Sequence, residues 1–169
     1  MFLLLDTNLI GVYYCEMINL SKINSVSKNN FLSLMRSYEK NYITIFELID
    51  LNLICPNNIS KKFESKSKYS NKKLLLTIES VSNHTALIRF SYNLFSNDTY
   101  INFVDIKIYF DSKQIEVLNT NSFSQNNFNK KIQNFHNLRL SKWYKSYFLS
   151  IWLDNCVKNG YSFDVNTTV

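Results

Sequence analysis

Four carboxylates, Glu39, Asp105, Asp111 and Glu116, are the side chains best suited to acid–base work, provided the fold gathers them. Carboxylates about 5 Å apart around a concave pocket can divide the roles of general acid and general base. Their spacing along the chain does not bring them together by itself. His84 and His136 have no Cys, His or acid at ligand or triad spacing, so they read as turn or surface residues. Cys15, Cys55 and Cys156 are too few and too scattered for a disulfide framework or a zinc site, which fits reduced thiols in a cytoplasm. Glycine occurs only at Gly11 and Gly160, which excludes a glycine-rich phosphate loop. No cofactor and no metal ion is expected.

The elements that must position these groups follow from hydrophobic periodicity. Between 31 and 49, Phe31, Leu34, Met35, Tyr38, Tyr42, Ile45, Phe46 and Ile49 recur at three-and-four spacing and predict a helix, with Asn29 or Asn30 as its cap and Pro56 just beyond its end. In that helix Glu39 and Asn41 form a polar pair that either faces solvent or ties the helix to the sheet, and a structural hydrogen bond is expected of them. The stretch 57–73 carries Lys61, Lys62, Lys66, Lys68, Lys72 and Lys73 against Glu64 and is expected to be a mobile, solvated connection with room for a short edge strand. Lysines on an edge discourage sheet-to-sheet association.

Segments 74–80, 85–95, 100–110 and 114–119 are rich in branched and aromatic residues, and the short links between them predict an antiparallel meander. Asp111 should stabilise the hairpin turn, and Glu116 should pair across the sheet with Lys107. After an Asn-rich loop over 119–137, Leu140, Trp143, Tyr144, Tyr147, Phe148, Ile151, Trp152 and Cys156 predict a second helix. Trp152 and Cys156 lie one turn apart in its core stripe, Lys158 suits its negative end, and Gly160 suits a left-handed C-cap. The fold class is α+β, an antiparallel sheet of four or slightly more strands flanked by an N-terminal and a C-terminal helix.

The chain has 169 residues, 46% of them hydrophobic, with few Gly and Pro, which suits one domain with an aromatic-rich core. The formal charge of +6 comes almost wholly from Lys; with abundant Asn, Ser and Ile and only Ala86 as alanine, it reads as the mark of an AT-rich genome more than of a nucleic-acid partner. No segment reaches the ~18 apolar residues of a membrane helix.

Four runs in this order resemble the YqiB-like family of bacterial proteins of unknown function. They are "LMRSYEKNY", holding Glu39, Asn41 and Tyr42; "LTIES"; "VDIKIYFD" followed by Ile115-Glu116-Val117; and "FLSIWLDNCVKNG", holding Trp152, Cys156 and Gly160. The resemblance covers about 29–160. It implies a domain over 29–165, a cytoplasmic bacterial setting, and family-motif positions with structural roles at Glu39, Asn41, Tyr42, Asp111, Glu116, Trp152, Cys156 and Gly160. "HNLRLSKW" lacks the acids that usually precede the family's last helix.

The start, "MFLLLDTNLI", also resembles the opening of PIN-type ribonucleases, which would make Asp6 and Glu47 metal ligands and imply helices in the middle of the chain. Residues 1–28 are treated as an extension, and Met17 as a candidate native start. The sequence favours a non-catalytic binding or regulatory module, with a PIN-type metal-dependent ribonuclease as the alternative. A protein or small-molecule partner is compatible with it, whereas a membrane or a specific nucleic acid is not expected.

Overall fold

Alternation of buried side chains with more exposed ones marks most of the sheet, broken in β4 (Ile101–Tyr109) where Asp105 is buried between Val104 and Ile106, and it sorts the chain into a core face and an opposite face. The computed structural model describes residues 31–70, 72–93, 101–120 and 135–164. Asp6, Cys15, Met17, the candidate caps Asn29 and Asn30, the 96–99 link and most of the Asn-rich loop lie outside the described residues. Helix α1 (Phe31–Ile45) is followed by strands β1 (Lys62–Lys66), β2 (Lys73–Val81), β3 (Thr85–Asn93), β4 (Ile101–Tyr109) and β5 (Gln114–Thr120), then helix α2 (Phe135–Lys158). The sheet is an antiparallel meander in the order β1-β2-β3-β4-β5, so every strand pairs with its neighbours in sequence.

Leu76, Ile88, Ile106 and Ile115, one from each of four strands, are fully buried on the core face. Helix α2 covers this face with Leu149, Trp152 and Leu153; the Trp152 ring centroid lies 5.1 Å from that of Phe90 and 5.6 Å from that of Tyr92. Rings at such distances in tilted arrangements add to the gain from burial alone.

Helix α1 ends at Ile45, short of the residue 49 that periodicity predicts. The Phe46 and Glu47 amides donate to the carbonyls three residues back, which tightens the chain into a turn, and Ile49 forms a parallel bridge with Phe163. Its side chain is buried in the main core from this bridged position, not from a helical face. Helix α2 begins at Phe135, within the expected loop, and so takes in the backbone of His136. Its buried face is centred on Leu149 and Leu153, and Tyr147 from the predicted stripe is exposed.

The lysine-rich stretch holds the short edge strand β1 that the sequence left room for. Phe63 is fully buried, the backbone ladder pairs β1 with β2, and Ser65 accepts from the Ser162 amide, which ties β1 to the chain after α2.

The end of α2 is closed by a Schellman motif. The Gly160 amide donates to the Val157 carbonyl and the Tyr161 amide to that of Cys156, with Gly160 at φ +72°. A side chain at Gly160 would meet the Lys68 side chain at 2.5 Å, so glycine suits both the backbone angle and the close approach.

Candidate functional site

The side chains singled out for chemistry fall into separate places. Arg89 stands opposite Asp105 in the β3–β4 ladder and grips it with two bonds, Nε to Oδ1 at 2.6 Å and Nη2 to Oδ2 at 3.0 Å. That hydrogen bonding, more than the charge beside it, raises the guanidinium pKa, and the guanidinium also lies 4.9 Å from the centre of the Phe103 ring. Asp111 Oδ2 accepts from His84 Nδ1 at 2.7 Å, with both side chains largely in solvent. Glu39 is exposed on α1.

Glu116 sits opposite Lys107, as the sheet pattern predicts, but its carboxylate turns elsewhere. One oxygen meets Lys142 of α2 at 2.7 Å and the other accepts from the Tyr109 hydroxyl at 3.2 Å. Lys107 instead places its ammonium 5.1 Å from the centre of the Tyr109 ring. The helix passing the β5 edge supplies a cation that strand geometry alone does not reveal.

Beside this cluster Lys145 donates to the Leu118 carbonyl at 2.8 Å, and burial lowers its pKa. Burial also pushes up the phenols of Tyr38 and Tyr109, with the Glu116 charge as a second cause for each. Phenols held protonated, beside a carboxylate whose two oxygens are both occupied, make a structural knot at the β5 edge and not an open acid–base pair.

The remaining family-motif positions lie in the packing. Asn41 is completely buried, and its amide donates to the Ser146 carbonyl at 3.0 Å and the Ser146 hydroxyl at 3.2 Å. It ties helix to helix, where the sequence predicts a tie from helix to sheet. Ser37 and Ser146 hydroxyls meet at 2.7 Å, and Lys40 reaches Ser150 and Asp154 at 3.3 and 3.5 Å. Tyr42 packs edge-on against Phe46 at 4.9 Å. Cys156 is buried one helical turn from Trp152, and burial pushes its thiol well above the ordinary range, which disfavours the thiolate. Tyr161, pushed up to about 12 mainly by burial, donates to the Lys72 carbonyl.

Three pairings escaped the sequence: Arg89 with Asp105, Glu116 with Lys142, and His84 with Asp111. The last had a usable signal. In an antiparallel meander alternate turns fall at the same end of the sheet, so the β2–β3 turn and the β4–β5 turn had to be neighbours; Thr85 is indeed opposite Tyr109. Among the described residues no group of three His, Cys, Asp or Glu is placed to hold a metal ion. Glu47 is exposed in the turn after α1, and antiparallel strands occupy the middle of the chain where the nuclease resemblance implies helices.

The distribution of charge is the other finding. Six lysines against Glu64 give the stretch 61–73 a net +5 of the chain's +6, and it forms β1, the turn to β2 and the start of β2. At its tip Tyr69 is 79% exposed. Glu64 is already engaged by Lys73 at 3.0 Å and Lys66 at 3.9 Å, which leaves Lys62 without an ionic partner among the described residues. No strand lies outside β1 among the described residues.

A family described as "Protein of unknown function (DUF1249)" matches residues 50–162, a span from the end of the α1 turn through the Gly160 cap. No curated protein and no solved structure matches the chain. Among the described residues no helix is long and apolar enough to cross a membrane.

Proposed function

The chain belongs to the DUF1249 family of proteins of unknown function, and from that premise we propose that it is a YqiB-like, cytoplasmic bacterial protein whose domain, residues 29–165, is a non-catalytic binding module for a protein partner. One observation carries this role: the excess positive charge is concentrated along a sheet edge that no described strand covers. A catalytic carboxylate must be open to its substrate, and a binding edge must be open to its partner. Here Asp105 and Glu116 are each closed off by a basic side chain and Asp111, though exposed, is paired with His84 away from the other carboxylates, whereas no described strand covers β1. The four ordered runs quoted above support the YqiB-like label, and scattered thiols support a reducing compartment.

Lysine-directed cross-linking in the native host tests the role. Lys62, Lys66 and Lys73 should join one recurrent partner, and the double change Lys62→Glu with Lys66→Glu should lower the yield. Cross-links spread evenly over all exposed lysines, or a metabolite turnover abolished by Glu116→Gln, would overturn it.

A further inference from the structure

We propose that the outer edge of β1 accepts, as a sixth strand, an extended acidic segment of a partner protein, with acids placed to face Lys62 and Lys66 and a non-acidic residue facing Glu64. This rests on the binding-module role above and adds the mode and chemistry of recognition.

Hydrogen-bond parity shows which groups are available. The Ser67 amide donates to the Lys72 carbonyl, and Ser65 and Phe63 stand opposite Leu74 and Leu76 in the same ladder. Antiparallel pairing alternates, so the N–H and C=O groups of Ser67, Ser65 and Phe63 point inward to β2, and those of Lys62, Glu64 and Lys66 point outward. Lys68 continues the outward series, and its amide donates to the Asn159 carbonyl, so the chain already uses one place on this edge. The three places beyond it have no backbone partner among the described residues.

Side chains then set the partner's chemistry. Phe63 and Ser65 are buried on the core face, which puts Lys62, Glu64 and Lys66 together on the opposite face in the order plus, minus, plus. An added strand would bring its own side chains within about 5 Å of these. A second copy of this edge would set two strongly basic hairpins against each other, so the lysines that discourage self-association select for an acidic strand. The order acid, non-acid, acid reads the same in both directions and suits either strand polarity. Glu64 disfavours a uniformly anionic chain at the central place, which favours a peptide over a nucleic acid.

A labelled peptide with Glu at two positions four apart, Thr midway and Val between tests this on the full chain, beside a matched Lys peptide and a short oligothymidylate. The Glu peptide should bind, and amide exchange should slow at Lys62, Glu64 and Lys66 but not at the already bonded Phe63 and Ser65. Lys62→Glu with Lys66→Glu should weaken binding about tenfold, because two cross-strand attractions become repulsions. Glu64→Pro separates this from loose charge attraction. It removes an outward N–H while sparing the ladder to β2 and makes the edge more basic, so strand addition should be lost whereas simple attraction would strengthen.

Absence of binding, binding without the alternating protection, equal binding of the Lys peptide, or tighter binding of the oligonucleotide would each overturn the inference. If the peptide fails while host cross-links from Lys62 and Lys66 persist, strand addition falls and the binding module stands. If the cross-links are also absent, both fall.

Discussion

The two edges of the sheet are both guarded by lysines, yet in opposite senses. At β5 the lysines come from α2 and point inward: Lys145 donates to an edge carbonyl and Lys142 closes on Glu116. Helix α1 covers the same edge, with the Gln114 amide against the Met35 sulfur at 3.6 Å. At β1 the lysines belong to the strand itself, and Lys62 and Lys66 are exposed. A lysine whose ammonium is consumed by the strand seals an edge; one that remains in solvent only decides what approaches it.

The largest way to break this contrast is to remove what holds α2 on the sheet. Trp152→Ala should cost about 3 to 5 kcal/mol, read as a lower denaturation midpoint, and should raise amide exchange at β5 along with it. An unchanged midpoint would show that α2 is held by something else. Lys145→Met should cost about 1 to 2 kcal/mol, because it leaves the Leu118 carbonyl without its charged donor; exchange should quicken at β5 and stay constant at β1. Gly160→Ala acts at the other edge. It strains a left-handed residue by about 1 kcal/mol and presses on Lys68, so fraying should start at the β1 end of the sheet.

Alkaline titration sharpens the contrast further. Tyr161 is held protonated in the folded chain up to about 12, above its ordinary value of 10. Its contribution is therefore complete below about pH 10 and is lost as pH rises through 12, since the unfolded chain ionises first. Tyr161→Phe should flatten that part of the stability curve. The smallest effect belongs to Lys62→Ser, within about 0.5 kcal/mol in a melt, although the same change should weaken the acidic peptide.

How much of this was legible in the sequence depended on whether a residue's role is local. The strands over 73–93 and 101–120 alternate and are joined by short links, so their order followed directly. β1 was harder to read because "KFESK" offers one large apolar side chain, Phe63, whose burial depends on a face made by other strands. The end of α1 was misplaced because Phe46 and Ile49 keep the helical pattern while burying by a turn and a bridge. The partners of Asp105 and Glu116 required strand register and the path of α2, neither of which is encoded near those residues. The lysine cluster was visible from composition, but its outward-facing alternation was not.

The buried amide of Asn41 has a consequence for assembly. A slip of α1 by one turn would displace it about 5.4 Å along α2, away from Ser146, and strand its donors in hydrocarbon. Its Oδ1 has no hydrogen-bond partner among the described residues, so the correct alignment gains only the two bonds from Nδ2, whereas a wrong one would carry a large penalty. It works as a proofreading device, lengthening the energetic gap between the native docking of the two helices and the misaligned alternatives that their greasy faces would otherwise tolerate.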